Sequence, residues 1–334
     1  MDIRRLDRSE WAGALPDSGF EPFHTPAGLS TLADHTEGEL RLYGGFKGQH
    51  PVGLWPAFVR DQNVGRAVLS PPPSMAVPRL GPIVMAESPK QRKREKVNRT
   101  FTTEVLDRLD ADASRTLFYG IVSTTYGDPR PFTWAGMDVE PAFTYHVDVD
   151  DRTPDELLAS FSRDLRKDVT NGEDLAVTVD REGVEGARPV YQDVVARYDA
   201  QGETFGPSWP YVRDAVEAFG DRARVYVARD PDGEFLNGMI FLYSNDAAYS
   251  WLGGTKRNYD SVATKSLVQW AMLTDLVEDP PFESIERYDM TGANTERICR
   301  YKAAFGGELV PYYMVESGGA TMDIAKRAYR MVRG

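Results

Sequence analysis

Hydrophobic and polar residues fall into two successive groups of strands and helices along the chain. In the first half, residues 39–46, 51–60 and 66–69 read as strands, a charged helix runs over 90–109, and 116–122 is an apolar β run. Ser70-Pro71-Pro72-Pro73 reads as a loop, because consecutive prolines supply no N–H to a ladder. The second half repeats the theme with helices over 153–161 and 163–171, a strand at 176–180, and helices over 186–200 and 209–219. Strands at 223–229, 236–243 and 247–253 then form a meander, followed by a long helix over 261–277 and a strand at 284–290. A chain of 334 residues has room for about two domains. The pattern predicts an α+β chain of two lobes.

One helix departs from the expected amphipathic pattern. With Asn294 as N-cap and the Gly306-Gly307 pair as C-cap, the residues between form a helix of about three turns. Ile298, Lys302 and Phe305 fall on it at i, i+4 and i+7, so an ammonium sits within the apolar stripe. A lone buried charge is costly. Either Lys302 snorkels, with its stem buried and its head wet, or the head points into a cleft and stabilises negative charge on a substrate.

The surrounding run, YDMTGANTERICRYKAAFGGELVPYY, resembles the C-terminal signature of Fem-type aminoacyltransferases and their acetyltransferase-like relatives. In that family an aspartate-bearing strand and a glycine turn precede a helix carrying Phe/Tyr-Lys and a Phe-Gly-Gly end. PFTWAGMDVEPAFTYHVDV (131–149), SFSRDLRKDV (160–169) and YSWLGGT (249–255) resemble three further landmarks of the family, in its order. Residues 1–130 match only in length and general strand pattern. The resemblance implies mixed α/β sheets in two tandem GNAT-like (acyl-CoA N-acyltransferase-like) domains, here 1–145 and 146–334. It also implies an acyl or aminoacyl transfer to an amine of a cell-envelope or polysaccharide precursor.

Composition narrows the setting. The single cysteine, Cys299, excludes a disulfide framework within the chain and reads as a small buried hydrophobe. No apolar stretch has signal-peptide or membrane-span form, which predicts a cytoplasmic protein. Thirty arginines, nine lysines and thirty aspartates, with a net charge of −12, resemble the composition of proteins from salt-adapted organisms such as halophilic archaea. Acidity of that kind is a general solubility device and argues only weakly against a tRNA partner. The one basic cluster is Lys90, Arg92, Lys93, Arg94, Lys96 and Arg99. A solvated helix face is its simpler reading, a contact with a phosphate backbone the alternative.

The acyl donor is either acyl-CoA or aminoacyl-tRNA. Enzymes of this fold that use acetyl-CoA present an Arg/Gln-x-x-Gly-x-Gly/Ala loop, whose amides and helix N-terminus hold the pyrophosphate. The corresponding stretch here, 255–263, has no glycines and places Asp260 near where an anion would lie. That disfavours CoA and leaves aminoacyl-tRNA open. His24, His35, His50 and His146 lack metal-ligand spacing, and Asp148, Asp150 and Asp151 read as a solvated turn capped by Thr153, so neither metal nor Ser-His-Asp chemistry is expected. His146 reads as structural.

The expected site therefore has Lys302 stabilising the oxyanion and Asp289 orienting the lysine or the acceptor amine, or else holding the turn at Thr291-Gly292. Tyr249, Trp251, Arg166, Lys167, Tyr259 and Asn294 are the expected substrate-binding residues, with core packing the competing role for the two aromatics and surface charge for the basic pair. No activated nucleophile is visible, so transfer would be direct, with proximity and orientation supplying much of the rate. Two other readings stay open: a glycan- or tRNA-binding module without chemistry, and an N-acetyltransferase with an atypical phosphate loop. No DNA partner is expected.

Overall fold

The computed structural model describes residues 1–62, 65–255 and 257–318. Their contacts divide into two units, one comprising Met1–Pro73, Val77–Ala142 and the chain from Pro311 onward, the other Ser74–Ala76 and Phe143–Val310.

Unit 1 begins with β1 (Asp2–Leu6), α1 (Arg8–Ala14) and α2 (Pro26–His35), then β2 (Glu39–Lys47), β3 (His50–Gln62), β4 (Gly65–Ser70) and β5 (Ile83–Val84). It continues through α3 (Gln91–Arg108), β6 (Thr116–Ile121) and α4 (Arg130–Trp134) into β7 (Met137–Asp148). Strands β1 to β4 pair antiparallel in sequence, and β6 adds parallel to β4, as expected where a helix crosses between them. That crossing helix, α3, seats Phe101 against Gly45 and Gly53, where a Cβ would lie 2.6 Å from the ring. Those glycines let the helix approach the sheet closely. Trp55, Phe118 and Phe132 fill the space beside them, with Trp55 edge-on to both phenylalanines.

Unit 2 takes over within β7 at Phe143. It contains α5 (Pro154–Ser160), α6 (Arg163–Glu173), β8 (Thr178–Glu182), α7 (Val184–Ala200), α8 (Trp209–Phe219), β9 (Ala223–Arg229), β10 (Phe235–Tyr243) and β11 (Ala247–Gly253). A small hairpin follows, β12 (Asn258–Tyr259) and β13 (Val262–Ala263), then α9 (Thr264–Glu278), β14 (Arg287–Asp289), α10 (Glu296–Ala303) and the start of β15 (Glu308–Ser317), whose later part belongs to unit 1. Strands β8 to β11 form an antiparallel meander, β14 joins β11 in parallel, and β7 pairs antiparallel with β14. Val147, Phe161, Phe241, Val268, Tyr288 and Phe305 belong to the core where α5, α6 and α9 meet the sheet.

Four sequence expectations are corrected. The long helix starts at Thr264 and not at 261, because Asp260 and Ser261 adopt left-handed conformations (φ 45° and 69°) that turn the preceding residues into the β12–β13 hairpin. The strand expected at 284–290 is limited to Arg287–Asp289. Helix α10 spans eight residues and is capped by Thr295, whose hydroxyl accepts from Ile298 N, while Asn294 Oδ1 accepts from Phe143 N at 2.8 Å instead. Cys299 is only partly buried, and its thiol donates to Ala293 O at 3.0 Å.

Candidate functional site

The site follows from how β11 and β14 part. Their parallel pairing runs from Ala247–Arg287 to Tyr249–Asp289 and ends there, because β14 stops while β11 continues to Gly253. Trp251 has no partner residue on β10, since Ile240 pairs with Leu252 and Phe241 with Ser250, so β11 carries a bulge at that point. The chain leaves β14 through Thr291 and Gly292, both left-handed at φ 52° and 47°. Thr291 Oγ1 donates back to Ser250 O at 2.8 Å and ties the turn to the parted strand.

Asp289 lies in register with Tyr249 on one side and His146 on the other, so these three side chains project to the same face. The Asp289 side chain is 1% exposed. Its Oδ1 accepts from Thr144 Oγ1 at 2.6 Å and from Thr291 N at 2.8 Å, and its Oδ2 lies 3.0 Å from His146 Nε2. A carboxylate only accepts, so the bonded Nε2 carries a proton and donates to it. Nothing among the described residues bonds Nδ1 through a hydrogen bond, and the ring keeps 15% of its surface exposed. His146, read from the sequence as structural, thus has its ring held by a buried carboxylate. The signal was its two-residue spacing from Thr144 on one strand, but the partner stands 143 positions away.

Lys302 reaches the same turn from the other side. Its ammonium donates to three successive carbonyls, Met290 at 2.5 Å, Thr291, and Gly292 at 2.7 Å. Left-handed backbone at Thr291 and Gly292 is what aims those carbonyls inward, and glycine takes that conformation without strain. The helix end is shaped the same way. Gly306 (φ 73°) would put a Cβ 2.5 Å from Ser160 O, and Gly307 one 2.6 Å from His146 O.

Tyr249 and Trp251 are both buried. Trp251 Nε1 donates to Ala76 O at 2.9 Å and its ring meets Tyr211 edge-on. Asn294 holds the loop to Phe143, as above. Arg166 donates to Ala159 O at 2.9 Å and Lys167 is exposed on α6, so neither joins the Asp289 turn through a hydrogen bond. Tyr259 lies in the β12–β13 hairpin, half-buried. Lys256, within the stretch read for a phosphate loop, lies outside the described residues.

Behind the parted strands runs a hydrogen-bonded chain that the sequence did not reveal. Tyr301 donates to Gln269 Oε1, Gln269 Nε2 donates to the Tyr288 hydroxyl at 2.9 Å, and Tyr288 lies 2.5 Å from Ser250 Oγ. Burial pushes the Tyr288 hydroxyl up to about 12, so it stays protonated. Lys265, on the first turn of α9, lies over the Tyr301 ring at 5.4 Å, and burial together with the nearby Arg197 cation brings its amine down to about 8. Arg197 donates to Gly253 O at 3.2 Å, and no side chain caps the α9 N-terminus. A polar cavity of about 420 Å³ lined by Arg181, Glu182, Gly220 and Arg224 opens at the β8–β9 edge, where Arg181 is already paired with Asp279.

Residues 159–303 match the profile of the family described as acetyltransferase (GNAT) domain. No curated protein matches the chain. Among solved structures, that of FemX is similar over 98% of this chain and 99% of its own, at 12% identity and a TM-score of 0.71. The C-terminal domain of a putative lysylphosphatidylglycerol synthetase from Agrobacterium fabrum is similar at 14% identity, covering 96% and 94%, with a TM-score of 0.56. A tandem GNAT protein from the clavulanic acid biosynthesis pathway is similar at 14% identity, covering 96% and 99%, with a TM-score of 0.50. At such identities the likeness speaks to fold alone. The fold is mixed α/β with two GNAT-like units, and residues 159–303 are the part that matches a GNAT acetyltransferase domain.

Proposed function

We propose that unit 2 transfers an acyl or aminoacyl group from an activated donor to an amine, with a cell-envelope or polysaccharide precursor as the acceptor class. The observation that carries this reading is the His146–Asp289 pair, whose aspartate stands where β11 and β14 part and inside the stretch that matches an acetyltransferase domain, with His146 just before that stretch. The acceptor amine attacks the donor carbonyl, a C–N bond forms, and His146 Nδ1 takes the amine proton. Collapse breaks the donor's C–S or C–O bond, and the proton passes to the departing thiolate or hydroxyl. Asp289 holds the imidazole tautomer, as a buried carboxylate does in other His-dependent acyl transfer. Lys302 contributes its positive charge beside the reacting carbonyl and fixes the Met290–Gly292 turn.

The similar structures are of FemX, of a domain from a putative lysylphosphatidylglycerol synthetase and of a tandem GNAT protein without acetyl-CoA, which fits an acyl-transfer fold and leaves both donor classes open. A specific observation favours a phosphate-bearing donor of either kind. Lys265 and Arg197 have no carboxylate partner among the described residues, lie by the N-terminus of α9, which has no side-chain cap, and would neutralise a phosphate where a glycine-rich loop is absent. Melting temperature measured with acetyl-CoA and with aminoacyl-tRNA identifies the donor, and Lys265→Met should abolish the shift with whichever donor produces one. No shift with either donor contradicts the reading. A binding module without chemistry would keep the shift and show no discharge of the donor.

A further inference from the structure

Lys265, on the first turn of α9, is half-buried and makes no hydrogen bond or ion pair among the described residues. Lys302, in the same unit, differs in this respect, because three carbonyls take its ammonium hydrogens. The neighbours of Lys265 are of another kind. Its Nζ lies over the Tyr301 ring at 5.4 Å, and a Cβ on Gly253 would stand 3.7 Å from it. Gly253 ends the part of β11 that runs on after β14 has stopped. The Gly253 carbonyl accepts from Arg197 Nη1 at 3.2 Å, which brings a second cation to the same place.

Most of this setting works against the ammonium form. Burial strips water from it, Arg197 of α7 repels a like charge, and the N-terminus of α9, without a side-chain cap, is the positive end of the helix dipole. The Tyr301 ring face favours a cation and offsets these in part. Asp168 of α6 bears on the Tyr301 hydroxyl and not on Lys265. With the amine brought down to about 8, about a tenth of it is unprotonated at pH 7, against roughly one part in three thousand for a lysine in water. An unprotonated lysine amine is a nucleophile toward acyl carbonyls.

We propose that Lys265 is an acylation site of this protein, taking an acyl group directly from a thioester. The amine attacks the thioester carbonyl, a C–N bond forms, the C–S bond breaks, and the amine proton goes to the departing thiolate. The product is a neutral amide, so acylation deletes one of the two cations beside α9. On the reading that these cations neutralise the donor's phosphate, a plentiful acyl donor would thereby weaken its own binding. That consequence rests on the phosphate reading; the acylation itself does not.

The test uses S-acetyl-N-acetylcysteamine, a thioester that carries no phosphate and needs no catalysis by unit 2, so that failure here is separate from failure of the acyl-transfer reading. The full chain and an unstructured lysine peptide are treated together from about pH 6 to about pH 10, and acetylation is read peptide by peptide by mass spectrometry. At pH 7, Lys265 should be acetylated at least about tenfold faster than the reference peptide, and its rate should level off above about pH 9 while the reference still rises. Unfolding in urea should abolish the advantage. Arg197→Gln removes the neighbouring cation and should carry the Lys265 profile to higher pH, with the melting temperature recorded to show that the variant is folded. Acetylation of Lys265 no faster than that of the reference in the folded protein overturns the proposal. So does an advantage that persists in urea, which would owe nothing to the fold.

Discussion

His24 in unit 1 and His146 in unit 2 both sit in polar clusters inside their own units, and the difference between them separates a histidine saturated by its neighbours from the one proposed as the base. His24 is fully buried, with Nδ1 accepting from Glu21 N at 3.0 Å and Nε2 bonded to Gly81 O at 2.9 Å. Both ring nitrogens are committed to backbone, and burial takes its pKa down to about 4. The nearby Glu21 carboxylate is committed as well, to the Arg79 guanidinium at 2.8 and 3.2 Å. His146 has one nitrogen on a buried carboxylate and the other without a hydrogen bond among the described residues. Saturation on every side gives stability; one unsaturated nitrogen in an otherwise fixed ring gives a base.

Substitutions on the two sides of this comparison should therefore fail in different ways. His146→Gln should lower donor discharge by about 10²–10⁴-fold with a nearly unchanged melting temperature, as for loss of a general base, whereas His24→Gln should do the reverse. Glu21→Ala strips a partner from Arg79, whose side chain is 1% exposed, and should destabilise unit 1 by about 3 kcal/mol in denaturant titration. Lys302→Met removes the ammonium from three carbonyls and should cost roughly 2–4 kcal/mol, with turnover falling further than stability explains if its charge also acts on the oxyanion. A smaller effect should appear with pH. The His24 pKa drops from 6.5 unfolded to about 4 folded, so between those values the unfolded chain binds more protons. Stability should then fall as pH is lowered from about 6.5 to about 4, and His24→Gln should flatten that part of the curve.

How far the sequence disclosed this depended on the range of each interaction. Helix 209–219 and the strands at 223–229 and 247–253 are local patterns of period, caps and turns, and the structure has them with the same bounds. Thr153, read as the cap after the acidic turn at 148–151, caps α5, and the structure adds a capping box with Glu156. Lys302 stood out because a charge fell within an apolar stripe, yet three carbonyls made available by left-handed Thr291 and Gly292 could not be read from residue types. The Asp289–His146 pair depends on β7 and β14 becoming neighbours across 143 positions, and the Ser250–Tyr288–Gln269–Tyr301 chain on four elements converging. Period and composition carry no information about such pairings. The hairpin at 258–263 was missed because Asp260 and Ser261 take positive φ without glycine.

The most direct test of the account is donor discharge by wild type and by His146→Gln, run beside His24→Gln and with melting temperature recorded for all three. Acetyl-CoA and aminoacyl-tRNA serve as donors in parallel. The account predicts that His146→Gln loses discharge at least 100-fold while keeping its stability, and that His24→Gln loses stability while its folded fraction keeps discharge. Full discharge by a stably folded His146→Gln protein would contradict it.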